Sequence, residues 1–184
     1  MRIVLLGAPG SGKGTQAALL ADRLGVPAIS TGAVFRAERD RDSALGRQVA
    51  VYLDQGCLVP DDVTAQVVRH RLADPDTTTG FLLDGFPRTV PQAKTLDEML
   101  AAAGTSLDAA LDLAVDRDEI IRRLSARGRA DDNPTTVAQR LDEYADKTAP
   151  LLDFYRGQGR LVTVDATGEV ETIAARVIAA LCGS

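Results

Sequence analysis

Residues Gly7 to Gln16 read GAPGSGKGTQ and follow directly on the apolar run Ile3-Val4-Leu5-Leu6. A short buried strand feeding a glycine-rich loop with one lysine is suited to holding phosphate. The glycines let backbone N–H groups converge on an anion, and Lys13 adds a point charge. The helix that opens near Thr15 turns its positive end toward the same anion. A nucleoside triphosphate is therefore the leading ligand. The spacing departs from G-x-x-x-x-G-K-[ST], because Gly14 follows Lys13 and the hydroxyl arrives one place later, at Thr15. The dinucleotide pattern G-x-G-x-x-G also fails, since Gly10, Gly12 and Gly14 are spaced by two.

A second group of residues, Phe81 to Arg88, reads FLLDGFPR. An apolar strand ending in Asp84 places a carboxylate at the carboxyl end of a sheet, where open α/β folds bind ligands. Such a carboxylate suits Mg²⁺ held through water, although Asp-Gly is also a common turn. Gly85 lets a ligand approach the backbone, and Arg88 offers a planar fork for phosphate or carboxylate. A third group is Ser30-Thr31-Gly32 with Arg36. Thr31 is equally placed to cap the helix that follows. Two arginines on a second anion, across from a triphosphate cradle, imply two phosphorylated substrates. Arg122, Arg123, Arg127 and Arg129 form a basic cluster in a chain of net charge −5, which favours a small polyanion over a general nucleic-acid surface.

The elements that must position these groups can be read from the same string. The 184 residues, 45% hydrophobic and 26% charged, fit one soluble domain. Two cysteines, Cys57 and Cys182, and one histidine, His70, supply neither a zinc site nor a disulfide framework, so a reducing cytoplasm is expected. His70 is expected on an exposed helix face. No segment has the pattern of a signal peptide or a membrane span. Apolar strands are expected near 2–6, 26–30, 80–84, 109–115 and 160–165. Helices are expected near 14–24, 31–40, 43–55, 61–73, 89–103, 117–126, 134–155 and 169–182. The alternation predicts an α/β fold, a parallel sheet covered on both faces. Asn133-Pro134 reads as an N-cap with proline at the first helical position, and Gly104 as a glycine past a helix end. Three helices between the second and third strands exceed what a crossover needs and suggest an inserted helical subdomain.

Taken together, GAPGSGKGTQ (7–16), STG with Arg36, GCLVPDD (56–62), DGFPRTVPQA (84–93) and GRADD (128–132) with Arg140 closely resemble the adenylate kinase family of nucleoside monophosphate kinases. The one-place shift to Lys-Gly-Thr is what that family shows. The resemblance implies a P-loop three-layer α/β/α fold with a five-stranded parallel sheet, an AMP-binding subdomain at 31–60 and a short lid at 127–133 without zinc. It implies that Gly10, Ser11, Gly12, Lys13, Gly14 and Thr15 wrap the ATP phosphates, with Arg123, Arg127 and Gly168 completing the ATP site. Arg36 and Arg88 would grip the AMP phosphate, alongside Gly32 and Gly85. Thr31 and Gln92 would recognise its adenine, and Cys57, Leu58 and Val59 would line that pocket through their backbone. Lys13, Arg88, Arg123, Arg129 and Arg140 would carry catalysis, with Arg129 and Arg140 also facing AMP. Mg²⁺ would be held by Thr15 and Asp84, the latter through water. Many relatives carry an acid where Ala33 stands. Cys57 is expected to be a buried small apolar residue.

The implied reaction is Mg·ATP + AMP ⇌ 2 ADP in a cytoplasmic monomer whose partners are ATP, AMP and ADP. The nearest rival is a UMP/CMP kinase, which usually carries alanine and asparagine where Thr31 and Gln92 stand. A nucleotide sensor without turnover is a rival from another class. A GTPase is disfavoured because no Asn-Lys-x-Asp sequence occurs.

Overall fold

The computed structural model describes residues 1–40, 43–55, 57–127 and 134–182, apart from the side chains of residues 127 and 134. In chain order the elements are β1 (Arg2–Leu6), α1 (Lys13–Leu24), β2 (Ala28–Ser30), α2 (Thr31–Asp40), α3 (Ala44–Gln55) and α4 (Asp61–Leu72). A 3-10 turn at Pro75–Thr77 leads to β3 (Phe81–Asp84), α5 (Val90–Ala102), β4 (Ala109–Ala114), α6 (Arg117–Arg127) and α7 (Pro134–Glu143). A π-helical turn at Tyr144–Thr148 then precedes α8 (Pro150–Gly157), β5 (Leu161–Asp165) and α9 (Val170–Cys182).

The strands form one sheet in the order β2-β3-β1-β4-β5, and every pairing is parallel. Its inner strands β3, β1 and β4 are largely apolar and buried on both faces, as a sheet between two helix layers requires. Ile3 and Leu5 of β1 pack toward Leu20 of α1 and Ile173, Val177 and Leu181 of α9. Val4 and Leu6 point the other way, toward Val68 of α4, Leu96 of α5 and Leu151 and Tyr155 of α8. A third, separate cluster of Phe35, Val49 and Val59, backed by Leu45, Tyr52, Leu53, Val63 and Val67, joins α2, α3 and α4.

The sheet order fixes where ligands bind. β1 feeds α1 on one face while its neighbours β3 and β4 feed helices on the other, so the chain diverges at the carboxyl end of β1 and opens a crevice. Register places Leu5 of β1 beside Asp84 of β3, and Ser30 of β2 beside the same Asp84. The glycine loop, Asp84 and the start of α2 therefore share one edge of the sheet.

Two expected elements differ. The helix expected over 134–155 is interrupted by the π turn. Pro150 has no N–H to continue an i→i−4 ladder, and the preceding residue reaches back five, from Ala149 N to Tyr144 O at 2.8 Å. β2 is also shorter than 26–30: Pro27 has no donor for the ladder, although its carbonyl accepts from Leu82 N at 2.9 Å. The helix-end glycine reading holds at Gly104, whose φ is 68° and whose N–H bonds Ala101 O at 2.9 Å. Asn133 lies outside the described residues.

Candidate active site

The glycine loop leaves β1 at Gly7 with φ 131° and enters α1 through Gly12 with φ 97°. A Cβ at Gly7 would stand 2.7 Å from Ser11 Oγ and 2.9 Å from Leu113 O, and one at Gly10 2.9 Å from the Leu124 side chain. The loop is thus pressed onto β4 and α6, and a larger residue would lift it. No side chain caps α1, so the positive end of the helix is turned to the loop, where it favours an anion. Lys13 folds over the loop, donating from Nζ to Gly7 O at 2.7 Å and to Ala8 O at 2.9 Å.

A cavity of about 720 Å³ opens in front of this loop, a volume within the range of small-molecule sites. Gly10, Gly12, Lys13, Gly14 and Thr15 of the loop line it. So do Thr31, Gly32 and Arg36 of α2, and Cys57, Leu58 and Val59 of the segment before α4. Asp84, Gly85, Arg88 and Gln92 line it from the end of β3 onward, and Arg123 and Arg140 from α6 and α7. Ser11 is the exception within the loop: it is buried beneath it.

The lining concentrates positive charge around Arg88. Arg88 opens onto the cavity, yet surrounding protein strips away bulk water. That burial, with repulsion from Arg140 and Arg36, holds its guanidinium below the ordinary arginine value, against the pull of Asp84 and Glu143. It stays charged. Arginines crowded this way favour an anion among them. Gly85, at φ 87°, makes the approach close, since a Cβ there would lie 2.7 Å from Thr31 Oγ1 and 3.1 Å from Arg88 Nη2. Thr31 does not cap α2. That role falls to Ser30, whose Oγ accepts from Ala33 N at 3.3 Å, while buried Thr31 turns its hydroxyl to Asp84 O at 3.5 Å.

A smaller cavity of about 240 Å³ adjoins the loop, lined by Ser11, Gly12, Thr15, Arg123 and Gly168 among others. Arg123 lines both cavities and is fixed by three groups: Nε on Glu119 at 2.6 Å, Nη1 on Ser11 O at 3.3 Å and Nη2 on Ala166 O at 3.0 Å. Arg122 and Arg123 together pull the Glu119 carboxyl down to about 2. Arg129 and the side chain of Arg127 lie outside the described residues.

Several contributors were given no role of their own by the sequence. Glu143, Tyr144 and Thr148 line the large cavity from the helical segment that follows Arg140. Asp112 of β4 is buried beside Leu6. Burial raises its pKa, while the nearby charge of Lys13 works in the opposite direction. Asp61 accepts from Gln92 Nε2 at 2.7 Å and from Thr89 Oγ1 at 2.8 Å. Cys57 corrects an expectation: it is half-buried on the cavity wall rather than in the core, and its Sγ accepts from Gln139 Nε2 at 3.6 Å, because the short segment before α4 faces α7. His70 is exposed, as expected.

A parallel sheet with a glycine–lysine loop at its switch point, and with Arg36, Arg88 and Arg140 lining the same cavity, is the framework of a P-loop phosphotransferase. The family model described as adenylate kinase matches residues 5–160. A curated adenylate kinase of Mycolicibacterium paratuberculosis is 52% identical over 181 residues, covering 98% of this chain and 99% of the relative. Those of Salinispora tropica and Thermobifida fusca are each 50% identical, with 98% of both chains covered. The chain belongs to the adenylate kinase family, and so to the nucleoside monophosphate kinases.

Proposed function

We propose that the protein transfers the γ-phosphoryl group of Mg·ATP reversibly to AMP, giving two ADP. The observation that carries this reading is the sharing of one cavity by the Lys13 loop and the Arg36, Arg88 and Arg140 cluster. The triphosphate lies along Gly10–Thr15, with its base toward Arg123 and Gly168 in the adjoining cavity. The acceptor phosphate lies on Arg36 and Arg88, and its adenine lies between Thr31, Gln92 and the backbone of 57–59.

An AMP phosphate oxygen attacks the γ-phosphorus in line. That phosphate is already largely ionised near neutral pH, so no general base is required. Catalysis then rests on positioning and on charges aimed at the transferred group. Lys13, Arg88, Arg123 and Arg140 supply those charges; Arg129 and the side chain of Arg127, which the resemblance adds to them, lie outside the described residues. The separate core of Phe35, Val49 and Val59 supports reading residues 31–60 as an AMP-binding subdomain that closes over the acceptor and excludes water.

Thr15 and Asp84 offer the hard oxygen donors that Mg²⁺ prefers. Asp84 Oδ2 lies within 3.5 Å of Ser30 Oγ and would be 3.9 Å from a Cβ on Gly14, so its carboxylate stands at the loop. Among the described residues no cluster of three or more His, Cys, Asp or Glu side chains could hold a metal, which suits an ion bound mainly by phosphates and water. When bound, the ion neutralises charge on the phosphates. No helix among the described residues is long and apolar enough to cross a membrane, and we take the enzyme to be a cytoplasmic monomer acting on ATP, AMP and ADP.

The test is ADP formation from Mg·ATP with AMP, CMP, UMP or GMP as acceptor, beside a control without acceptor. Rapid turnover with AMP alone is expected. Preference for CMP or UMP would overturn the adenine pocket, equal turnover without acceptor would indicate an ATPase, and tight nucleotide binding without turnover a sensor.

A further inference from the structure

Asp61 opens α4, where an acidic residue is ordinarily explained by the helix dipole. Its carboxylate is committed elsewhere. Oδ1 accepts from Gln92 Nε2 at 2.7 Å and Oδ2 accepts from Thr89 Oγ1 at 2.8 Å. Thr89 Oγ1 in turn accepts the Gln92 backbone N–H at 3.2 Å, and Gln92 Oε1 accepts the Arg88 backbone N–H at 2.7 Å. Gln92 is 2% exposed and lines the large cavity, whereas Asp61 does not reach it.

These contacts decide the polarity of the amide. A glutamine amide has two nearly isosteric orientations, and its partners choose between them. A backbone N–H must face Oε1, and a carboxylate must face Nε2. Turning the amide over would set N–H against N–H at Arg88 and oxygen against carboxylate at Asp61. One Nε2 hydrogen and one Oε1 lone pair remain for a ligand. The edge of a 6-aminopurine presents the N1 acceptor beside an amino donor. A 6-oxopurine presents the reverse, an N1–H donor beside the O6 acceptor. A fixed amide pairs with one pattern in a given pose, and a turned amide with the other.

We propose that Asp61, without touching substrate, is a specificity-determining positioning residue that locks the Gln92 amide so that the acceptor pocket takes 6-aminopurine and rejects 6-oxopurine monophosphates. This rests on the reading of AMP as phosphoryl acceptor. The rejection comes from a repulsive contact that the wrong orientation would create, in addition to the attractive contact in the right one.

The experiment compares kcat and KM for AMP and IMP in the wild type, Asp61→Ala, Asp61→Asn, Gln92→Ala and the double variant Asp61→Ala/Gln92→Ala, with KM for ATP and thermal unfolding recorded for each. Asp61→Ala is expected to lower the AMP-over-IMP ratio of kcat/KM by about tenfold, as loss of one charged hydrogen-bond partner does. The change should appear in the nucleotide KM, with kcat and the KM for ATP little altered. Asp61→Asn keeps the shape but can present either oxygen or nitrogen to Gln92, so its ratio should also fall, and this variant decides if the alanine variant fails to fold. In the Gln92→Ala background, Asp61→Ala should leave the ratio unchanged. An unchanged ratio in either folded single variant, or an equal fall without Gln92, overturns the proposal while AMP remains the acceptor. A wild type that does not phosphorylate AMP overturns the underlying reading instead.

Discussion

Thr148 donates its hydroxyl to the backbone carbonyl of Arg88 at 2.9 Å, fastening the π-helical turn to the segment that presents the cavity-lining Arg88 guanidinium. Removing that donor leaves a carbonyl without it in a site with little water. Thr148→Val keeps the volume and loses the hydroxyl. It should cost about 1–2 kcal/mol in denaturant unfolding and raise the KM for AMP several-fold. An unchanged KM for AMP would show that Arg88 is positioned without this contact.

The Lys13 ammonium holds the carbonyls of Gly7 and Ala8, and the proposed function gives it a second role on the transferred charge. Lys13→Met should lower kcat by ~10²-fold or more, as loss of a preorganised transition-state donor does. Its unfolding midpoint should move far less. Full activity in the variant would show that the loop does not act on the reacting phosphate.

The Glu119 pair with Arg122 and Arg123 predicts a flat pH response. The carboxyl falls from its ordinary value of 4.5 to about 2 in the folded chain. The stabilisation it brings is therefore complete above about pH 4.5 and is lost only as the pH falls through about 2. Arg122 is exposed and Glu119 and Arg123 are half-buried at the surface, so solvent screens these ion pairs and their stability effect is small. Its effect on ATP should be larger, because Glu119 orients Arg123. Glu119→Gln should raise the KM for ATP more than that for AMP. In the wild type the KM for ATP should show no inflection from this pair between pH 5 and 8, and such an inflection removed by Glu119→Gln would contradict the assignment.

Asp112 behaves in the opposite sense. Burial raises its pKa above the ordinary 3.8, with Lys13 and the Thr163 hydroxyl acting against that rise. A carboxyl whose folded pKa is raised binds its proton more tightly when folded, so stability falls as pH rises from 3.8 through the folded value. Asp112→Asn, which carries no charge, should therefore gain in melting temperature over the wild type as pH rises from 4 to 8. Thermal unfolding across that range checks it, and a gap that narrows with rising pH would mean that Lys13 outweighs the burial. Tyr144 stays neutral throughout, since burial and the Asp112 charge push it up to about 12.

The order of strands and helices and the glycine loop were legible because each leaves a local trace. Buried parallel strands are continuous apolar runs, and a phosphate cradle needs glycines beside a lysine within a few positions. The resemblance added lining residues such as Gln92 and Arg140, which no local pattern singles out. What stayed hidden depends on contacts distant in sequence. Thr148 meets Arg88 across 60 positions and Asp61 meets Thr89 across 28. An aspartate at the start of a helix is explained locally by the dipole, which conceals a second partner. Asp112 sits inside an apolar strand, and only the register beside Leu6 places it beneath the loop. The π turn was missed because periodicity carries on across Pro150 while the hydrogen-bond ladder does not.

Gly85 offers the sharpest steric test of the acceptor site. Its φ of 87° is one that side chains resist, and a methyl group there would stand 2.7 Å from Thr31 Oγ1 and 3.1 Å from Arg88 Nη2. Gly85→Ala must therefore either shift the backbone after β3 or displace the two groups read as holding the acceptor. Forcing a non-glycine residue into the left-handed region costs about 1–2 kcal/mol, which unfolding experiments can read. The second consequence separates the two substrates. Thr31 and Arg88 are the groups read as holding the acceptor, so the KM for AMP should rise by ~10-fold or more, a shift of about 1.4 kcal/mol, with that for ATP nearly constant. Equal losses for both nucleotides would mean that the substitution deforms the cavity as a whole and that Gly85 does not belong specifically to the acceptor side.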